Sequence, residues 1–479
     1  MSYVILEGIM ERAIRIPVPV VKIYNLCREA GYEVFLVGGA VRDALMGLTS
    51  YDWDFATNAT PEQVQALFPD SYYKNEFGMV GVPYEFEGEK RVVEITTYRT
   101  DEVYEDFRRP DPAQLKWGKS IDDDLSRRDY TINAIAVGFQ SGGEKGELLE
   151  KFIVLEAADY EIVDPFGGAE DINKKVIRAV GDPLARFDED ALRMMRAVRF
   201  FAQLDFNLDT FTLSAIREKK RNLTRISAER VRDELWKILK SERAYEGVEM
   251  LDEVELLPYI LPELVAGKGL MQRGHHVHDV FTHSMLALKH CPSKDPLVRF
   301  AALLHDIGKV PSHQVRGGIN TFFGHDVIGA KMAREIAYRL HLSKKERERL
   351  MTLVRWHMFN VDTVQTDAAI RRFIKKVGLE NIQDMIDLRI GDRLGSGTKQ
   401  AEGWRLQEFE KRIEGVLMPT FTVKDLAISG HDVMRILAIP PGPKIGDVLD
   451  ALFEEVLDDP CKNNREYLER KVREIGVST

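Results

Sequence analysis

The pattern of apolar residues changes near Phe187, and this change limits the folds that the chain can adopt. Before it, short apolar and β-branched runs such as Val34–Val37, Arg91–Tyr98 and Ala134–Val137 predict strands. After it, apolar residues recur at helical spacing to the C-terminus. The sequence therefore predicts an α+β fold, with a head built on a small mixed sheet followed by all-α domains.

The overall charge excludes one class of nucleic-acid-binding protein. Across 479 residues, 67 Lys and Arg stand against 77 Asp and Glu, which gives a net charge of −10. Phosphate backbones are bound by clustered cations, so a globally basic nucleic-acid binder is ruled out and any RNA must meet a local basic surface. The most basic short stretch contains Lys219, Lys220, Arg221 and Arg225, which are the predicted RNA contacts.

The cysteines and the N-terminus indicate the compartment. Cys27, Cys291 and Cys461 are few, widely spaced and odd in number, which is typical of a reducing cytosol without disulfides. The N-terminus has no basic start followed by a long apolar core, so no signal peptide is expected. No stretch approaches the roughly 18 apolar residues of a spanning helix. We expect a soluble, cytoplasmic protein with no membrane partner.

The sharpest chemical signal is a glycine pair, Gly38-Gly39, followed by two aspartates. On a strand, positions i and i+2 share a face, so Asp52 and Asp54 present their carboxylates together. Two such carboxylates suit Mg²⁺, and two metals can activate a hydroxyl and stabilise a departing pyrophosphate. The glycines allow the backbone to approach a triphosphate closely. Glu94, on the next candidate strand, is a candidate third catalytic ligand.

Arg127, Arg128 and Asp129 suit other parts of a nucleotide. Adjacent arginines match phosphate oxygens, and a carboxylate can accept hydrogen bonds from ribose hydroxyls. Taken alone, this triplet is equally consistent with a helix cap and a salt bridge.

Together, these motifs resemble those of the tRNA nucleotidyltransferase and poly(A) polymerase family of the polymerase-β-like superfamily. The matching residues run in the family's order over about residues 30–240: Gly38 to Asp43, Asp52 to Asp54, Arg127 to Asp129 with Asn133, Asp164 to Gly168, and Phe187 to Arg193. The resemblance implies a bacterial-type (class II) enzyme that uses Mg²⁺, CTP and ATP to add CCA to tRNA without a nucleic-acid template. The implied nucleotide-binding residues are Gly38, Gly39, Arg42, Arg127, Arg128, Asp129, Asn133, Glu189, Asp190 and Arg193.

A base-reading pair is predicted just after Phe187. On one helix, Asp190 and Arg193 would share a face, and Glu189 would hold Arg193 at i+4. The carboxylate can accept from the exocyclic amine of C or A while the guanidinium donates to the adjacent ring nitrogen. Uracil and guanine reverse this pattern, at about 1–3 kcal/mol for each bidentate mismatch. A plain surface salt bridge is the alternative interpretation.

A second chemical signal is the distribution of histidines. Ten of the eleven lie between His275 and His357, which suggests a metal site. His305 and Asp306 are adjacent, and imidazole with carboxylate suits a divalent metal that activates water.

The order of His283, His305-Asp306 and Asp392 along the chain resembles the metal-ligand pattern of the HD phosphohydrolase superfamily. His325 and His357 sit where some members place further ligands, and Lys309 could contact a substrate phosphate. The resemblance implies a divalent transition metal or Mg²⁺, and hydrolysis of phosphate esters such as 2′,3′-cyclic phosphates.

Several other functions share parts of this pattern. A poly(A) polymerase shares the head motifs but usually has a more basic C-terminal region. Enzymes restricted to CC addition typically shorten a loop that is intact here, from Tyr104 to Pro110, which favours CCA addition or A addition. Two classes of signalling enzyme also combine a nucleotidyltransferase domain with an HD domain. Alarmone enzymes place the HD domain first, whereas uridylyl-transferring enzymes have the present order but lack the base reader.

A non-catalytic RNA-binding module is disfavoured because the expected carboxylates are present.

These signals divide the chain into four predicted domains. They are a nucleotidyltransferase head (1–180), a helical neck for base recognition and RNA binding (181–266), an HD domain (267–415) and a helical tail (416–479). In the neck, Ser227 is expected to cap a helix, and Glu229 or Arg230 to brace the base reader.

Overall fold

The computed structural model describes residues 12–74, 78–100, 116–139, 147–272, 277–359, 367–397, 411–413 and 423–477. The chain divides after Pro262 into two compact units, and the finer division into four domains stays a prediction. The predicted loop from Tyr104 to Pro110 lies outside the described residues. Among the helices that are described, none is long and apolar enough to cross a membrane.

The first unit contains a mixed seven-stranded sheet, which confirms the predicted class of head. The strand order is β12-β9-β2-β3-β6-β5-β4. Only the β3–β6 pair is parallel within this sheet. The strands are β2 (Val34–Val37), β3 (Asp54–Thr57), β4 (Tyr72–Lys74), β5 (Met79–Phe86), β6 (Glu89–Thr97), β9 (Ala136–Phe139) and β12 (Tyr160–Val163).

Smaller sheets and short helices surround it. A three-stranded sheet joins β1 (Ile14–Pro17), β10 (Glu147–Leu149) and β11 (Phe152–Leu155), and β7 (Arg99–Thr100) pairs with β8 (Lys116–Trp117). The helices are α1 (Val18–Glu29), α2 (Gly39–Leu45), α3 (Pro61–Leu67), α4 (Ile121–Ser126) and α5 (Gly168–Lys174).

The register of the central strands positions the first site. Asp54 pairs with Val37 on β2 and with Glu94 on β6. Asp52, expected on the same strand as Asp54, precedes β3, but the backbone N–H of Glu94 still donates to the carbonyl of Trp53, at 3.1 Å. The aspartates therefore lie at the edge from which α2 departs.

The neck is helical and continues the first unit. Its elements are β13 (Val176–Ile177), α6 (Pro183–Glu189), α7 (Leu192–Leu204), β14 (Asn207–Leu208), α8 (Thr210–Lys219), α9 (Ala228–Lys240), α10 (Ala244–Glu253) and α11 (Leu257–Ile260). Buried Val198 on α7 and buried Leu235 and Ile238 on α9 belong to its core. Ser227 occupies the N-cap position of α9, but its side chain makes no capping hydrogen bond, so the predicted cap is wrong in detail.

The second unit is mostly helical. Its helices are α12 (Pro262–Val265), α13 (Val280–His290), α14 (Pro296–Leu304), α15 (Lys309–Ser312), α16 (His325–Arg339), α17 (Lys344–Trp356), α18 (Asp367–Val377), α19 (Ile382–Gly395), α20 (Gly430–Leu437), α21 (Pro443–Asp458) and α22 (Arg465–Val477). The last three share a separate core that includes Val433, Leu452 and Leu468.

Two short β elements depart from the all-α prediction. In the second unit, β15 (Gln314–Arg316) and β16 (Ile319–Thr321) form an antiparallel hairpin. Its turn is made by Gly317 and Gly318 at φ +59° and +78°, which suits a type I′ turn. In the neck, β14 pairs with β13 in parallel.

Candidate functional site

The glycine pair and the carboxylates of the head meet at one point. Gly38 has φ +78°, and a Cβ there would lie 3.2 Å from Asp54 Oδ2 and 3.3 Å from Arg128 Nη1. Asp52, Asp54 and Glu94 line the same cleft, as the sequence predicts. Trp53, between the aspartates, is buried. This geometry requires glycine at position 38, because any side chain would crowd both charged groups.

The electrostatics of Asp54 indicate a site that favours a cation. Burial raises the pKa of Asp54 to about 7; Arg128 opposes the shift, and the negative charges of Glu94 and Asp52 add to it. Carboxylates in this arrangement repel one another until a positive charge lies between them. The donor set, hard carboxylate oxygens beside the glycine pair, fits Mg²⁺.

The two arginines after α4 are held by a carboxylate that the sequence analysis missed. Asp124 Oδ1 accepts from Arg127 Nε at 3.0 Å, and Asp124 Oδ2 accepts from Arg128 Nη2 at 2.9 Å. Arg128 Nη1 also donates to the carbonyl of Asn133 at 3.3 Å. Asp124 is fully buried, and the signal that could have found it is its i,i+3 and i,i+4 spacing to the arginines.

Asp129 belongs to a buried network. Its Oδ1 accepts from the N–H of Tyr130 at 2.9 Å and from Asn133 Nδ2 at 3.2 Å, and its Oδ2 accepts from Arg196 Nε at 2.6 Å. Asn133 Oδ1 in turn accepts from Arg42 Nη1 at 2.8 Å. Burial opposes ionisation, but Arg196 and its neighbours hold the pKa of Asp129 down at about 2. The carboxylate therefore already holds three donors before any ribose arrives.

The predicted base reader is assembled, but not on one helix. Helix α6 ends at Glu189, Asp190 is extended at φ −146° and ψ 102°, and α7 begins at Leu192. Despite this break, Arg193 Nη1 lies 2.5 Å from Glu189 Oε2. Asp190 Oδ2 accepts from Arg230 Nη2 at 2.6 Å, so Arg230 supplies the predicted brace. The helical premise was wrong, whereas the predicted contacts form.

One cleft of about 1000 Å³ in the first unit is lined by the glycine pair, the three predicted catalytic carboxylates, Arg127 to Asp129 and the predicted base reader. The cleft continues along α7 and α9 to residues that the sequence analysis did not select. Those residues are Arg196, Arg199, Phe200, Gln203, Glu234 and Lys237. Their signal was present in the sequence, because Arg196, Arg199 and Gln203 repeat at roughly one helical turn beyond Arg193.

The cations selected as RNA contacts lie on the surface around the end of α8. Lys219 Nζ lies 2.5 Å from Asp188 Oδ2, and Lys220 pairs with Glu255. Arg221 and Arg225 are exposed. Their role in RNA binding stays a prediction.

In the second unit, the predicted HD residues gather in a buried cluster. His283 Nε2 lies 3.0 Å from His305 Nε2, 3.2 Å from Asp306 Oδ2 and 3.2 Å from Asp392 Oδ1. On the other side of the same carboxylate, Asp306 Oδ1 lies 3.4 Å from His325 Nε2 and 3.6 Å from His357 Nε2. The two oxygens of Asp306 thus face two separate groups of donors.

Backbone carbonyls orient three of these imidazoles. His305 Nδ1 is 2.8 Å from the carbonyl of Ala302, and His325 Nδ1 is 2.8 Å from that of Phe322. His357 Nδ1 is likewise 2.7 Å from the carbonyl of Val354. An Nδ1–H donated to a carbonyl leaves Nε2 as the lone-pair donor that a metal needs.

The charges of this cluster fit a divalent cation. Burial opposes protonation of His305, but Asp306 and Asp392 raise its pKa to about 10. Within the described part of the chain, the buried Nε2 of His325 makes no hydrogen bond. Imidazoles aimed at shared carboxylates suit a transition metal. Lys309 Nζ donates to Asp306 Oδ2 at 2.6 Å and to Gln272 Oε1 at 2.5 Å, so it borders the cluster, and its contact with a substrate phosphate stays a prediction.

Four protein-family models match successive parts of the chain. They are the Poly A polymerase head domain (residues 34–178), an RNA- and SrmB-binding site of polymerase A (205–267), the HD domain (273–394) and domain 2 of tRNA nucleotidyltransferases (392–472).

Whole-length relatives support the same order of parts. An A-adding tRNA nucleotidyltransferase of Deinococcus radiodurans is 34% identical over 88% of this chain and 90% of its own length. A CCA-adding enzyme of Limosilactobacillus reuteri is 30% identical over 93% and 94%. Among solved structures, the Bacillus stearothermophilus CCA-adding enzyme in complex with CTP has a TM-score of 0.69 at 26% identity, covering 96% of this chain and 97% of that one.

Proposed function

The chain belongs to the family of CCA-adding and A-adding tRNA nucleotidyltransferases, and from this premise we propose that its head cleft adds C and A to tRNA 3′ ends from CTP and ATP. One observation carries the proposal. Gly38 lies within a few ångströms of Asp54 and Arg128, in the same cleft as Asp190 and Arg193. Carboxylates, phosphate ligands and a base reader are therefore together.

Asp52, Asp54 and Glu94 are the residues that would hold Mg²⁺. The raised pKa of Asp54 and the all-oxygen donor set support this assignment. When bound, Mg²⁺ stabilises negative charge on the phosphoryl group and lowers the pKa of the attacking hydroxyl. The protein's own part would be to keep these carboxylates together, and the register that pairs Asp54 on β3 with Glu94 on β6 supports this.

Arg127 and Arg128 would bind the triphosphate. Asp124 holds both guanidiniums, that of Arg128 next to Gly38, so little side-chain freedom remains to be lost when the nucleotide binds. Asp129 is the proposed ribose contact. Because its oxygens already accept from Tyr130, Asn133 and Arg196, a ribose hydroxyl must share or replace one of these donors.

The choice of base would rest on Asp190 and Arg193. Asp190 Oδ1 accepts from the N–H of Leu192 and Oδ2 from Arg230, which leaves further lone pairs for an exocyclic amine. Glu189 fixes the guanidinium of Arg193. The arrangement favours C and A over U and G.

The experiment offers tRNAs that end one, two or three nucleotides short, with each labelled triphosphate in turn. Asp54→Asn should reduce addition on the order of a thousandfold, because a metal-binding charge is lost. Asp122→Asn, on an exposed position of α4, is the matched control. Retained addition by Asp54→Asn, or incorporation of U and G at the rates of C and A, would refute the proposal.

The same assay separates the two activities named among the relatives. An A-adding enzyme extends only the tRNA that already ends in CC, whereas a CCA-adding enzyme extends all three. The similarity to the A-adding enzyme of Deinococcus radiodurans makes A addition alone the second candidate function.

We also propose that the histidine cluster hydrolyses a phosphate ester such as a 2′,3′-cyclic phosphate. His283, His305, Asp306 and Asp392 would hold one divalent metal, and His325 and His357 could extend the set through Asp306. Metal-dependent loss of a 2′,3′-cyclic phosphate that His305→Ala abolishes would support hydrolysis. Turnover unchanged in that variant would exclude this site.

A further inference from the structure

The hairpin formed by β15 and β16 leads directly into the histidine cluster, because it ends at Thr321 and α16 begins at His325. It exposes the apolar side chains of Val315 and Ile319, and just after it Phe323 keeps 73% of its surface exposed. An isolated two-stranded hairpin is only marginally stable in water. Contacts with the rest of the second unit must therefore hold it in place.

Two side chains fix the hairpin to the border of the cluster. His313 Nε2 lies 2.9 Å from Asn320 Oδ1, and Asn320 Nδ2 donates to the carbonyl of Met271 at 2.8 Å. The next residue, Gln272, accepts from Lys309 Nζ. The hairpin is thus connected, through successive polar contacts, to the lysine that binds Asp306.

Phe322 is the inward-facing aromatic residue of this region. Its backbone carbonyl lies 2.8 Å from Nδ1 of His325, a predicted metal ligand. Its ring stacks on that of His313, with centroids 5.6 Å apart and an interplanar angle of 29°. Lys309 Nζ lies 5.9 Å from the centroid of the same ring. Phe323 therefore follows directly after a residue that contacts both the cluster and the lysine at its border.

Phe323 lies beside a cation that the hairpin supplies. The guanidinium carbon of Arg316 is 5.4 Å from the centroid of the Phe323 ring. Gln314 Oε1 accepts from Arg316 Nε at 3.1 Å and from Nη2 at 2.8 Å, so the guanidinium is held by a neutral amide. In the part of the chain that the structure describes, no carboxylate pairs with Arg316. An exposed aromatic face beside a guanidinium is a surface on which nucleobases stack.

We propose that Phe323 and Arg316 form a platform for the base of the molecule that the histidine cluster hydrolyses. The substrate is then a phosphate ester that carries a nucleoside, with its phosphate near Lys309 and its base on Phe323. The inference rests on the proposed hydrolysis, in which water adds to the phosphorus, one P–O bond of the cyclic ester breaks and the leaving ribose oxygen takes a proton. A free cyclic nucleotide and an RNA end share this chemistry.

The test compares Phe323→Ala with Tyr338→Ala in the full-length protein with Mn²⁺. Tyr338 is the matched control, because its exposed ring lies 4.3 Å from the guanidinium carbon of Arg347 but about 20 Å along α16 from His325. KM is measured for adenosine 2′,3′-cyclic phosphate, for an RNA transcript that ends in the same group, and for ribose 2′,3′-cyclic phosphate, which has no base.

Phe323→Ala should raise the KM for a base-bearing ester about tenfold and leave the KM for ribose 2′,3′-cyclic phosphate within twofold. Tyr338→Ala should match the wild type with all three. A rise with only one of the two base-bearing esters supports the platform and identifies whether a free nucleotide or an RNA end occupies it. An equal rise for the base-free ester, or no rise for either base-bearing ester, would overturn the proposal.

Fluorescence gives a readout that does not depend on hydrolysis. In Phe323→Trp, the emission gained over the wild type should be quenched by adenosine 3′-monophosphate and not by ribose 5-phosphate, because only the first has a base to stack. Absence of this quenching, or equal quenching by both compounds, would contradict the platform. If the wild type hydrolyses none of the three esters, the proposed hydrolysis fails, whereas the quenching still decides whether Phe323 binds a base.

Discussion

Gly38 has a positive φ, and a Cβ at this position would lie close to the side chains of Asp54 and Arg128. Gly38→Ala should lower stability by about 1–2 kcal/mol through its positive φ and should also displace the charged groups, reducing nucleotide addition at least tenfold. Gly31→Ala is the matched control, because Gly31 has φ +86° with nothing within 4 Å of its Cβ position. Thermal unfolding and addition assays on both variants separate strain from crowding. Equal activity in the two would contradict the assigned role.

Asp124 makes a pH-dependent contribution to stability. Burial opposes its ionisation, but Arg128 and Arg127 hold its pKa at about 2, below the ordinary 3.8. Because the pKa is lower in the folded state, the contribution is fully present above about pH 4 and is lost as pH falls through 2. The shift corresponds to about 2 kcal/mol.

Urea unfolding between pH 7 and pH 2 measures this contribution. Asp124→Asn should be less stable than the wild type at pH 7 and should lose less stability on acidification. Asp122→Asn should follow the wild type. A wild-type curve that stays flat from pH 4 to pH 2 would contradict the expected linkage.

At the scale of elements, the junction between α6 and α7 is a helix break that the sequence pattern did not predict. The residues around Asp190 are compatible with a continuous helix, so the local pattern predicts one. The break depends on a contact 40 residues away, from Arg230 to Asp190, which helical periodicity does not report. The pairing of Glu189 with Arg193 nevertheless forms across that break.

Arg230 should therefore control fidelity. Arg230→Gln removes the charge-assisted bond to Asp190 Oδ2, and we expect misincorporation of U and G to rise about tenfold, equivalent to about 1.4 kcal/mol of lost discrimination. Arg232→Gln, on an outward position of α9 paired with Asp233, is the control. Sequencing of the extended tRNAs provides the measurement. Unchanged base selection in Arg230→Gln would show that Asp190 does not need this brace.

At the scale of the whole molecule, the two proposed centres lie in different compact units. A metal that binds the folded histidine cluster stabilises the second unit by mass action, by about 2.7 kcal/mol at 100 times its Kd. We expect Mn²⁺ or Ni²⁺ to raise a midpoint of thermal unfolding. The shift should disappear in His305→Ala and persist in Asp54→Asn. A shift that persists in His305→Ala would place the stabilising metal elsewhere.

Much of this organisation could be predicted from the sequence. The change near Phe187 separates the mixed head from the helices. Asp52 and Asp54 were indicated by their local spacing, and the HD residues by their order along the chain. Asp124 and Glu234, whose carboxylates bind Arg128 and Arg199, were not found, because each matters through partners that only the folded chain brings close. The hairpin from Gln314 to Thr321 was not predicted, because its strands are only three residues long.

The guanidinium of Arg193 also donates to the backbone carbonyl of Arg127, at 2.9 Å. One end of this contact is the proposed base reader, and the other is the peptide that carries a proposed triphosphate ligand. A mismatched base that displaces Arg193 would therefore disturb the alignment of the phosphates as well as the fit of the base. Discrimination in such an enzyme would appear in turnover more than in occupancy, so that a wrong nucleotide could enter the cleft and still fail to react.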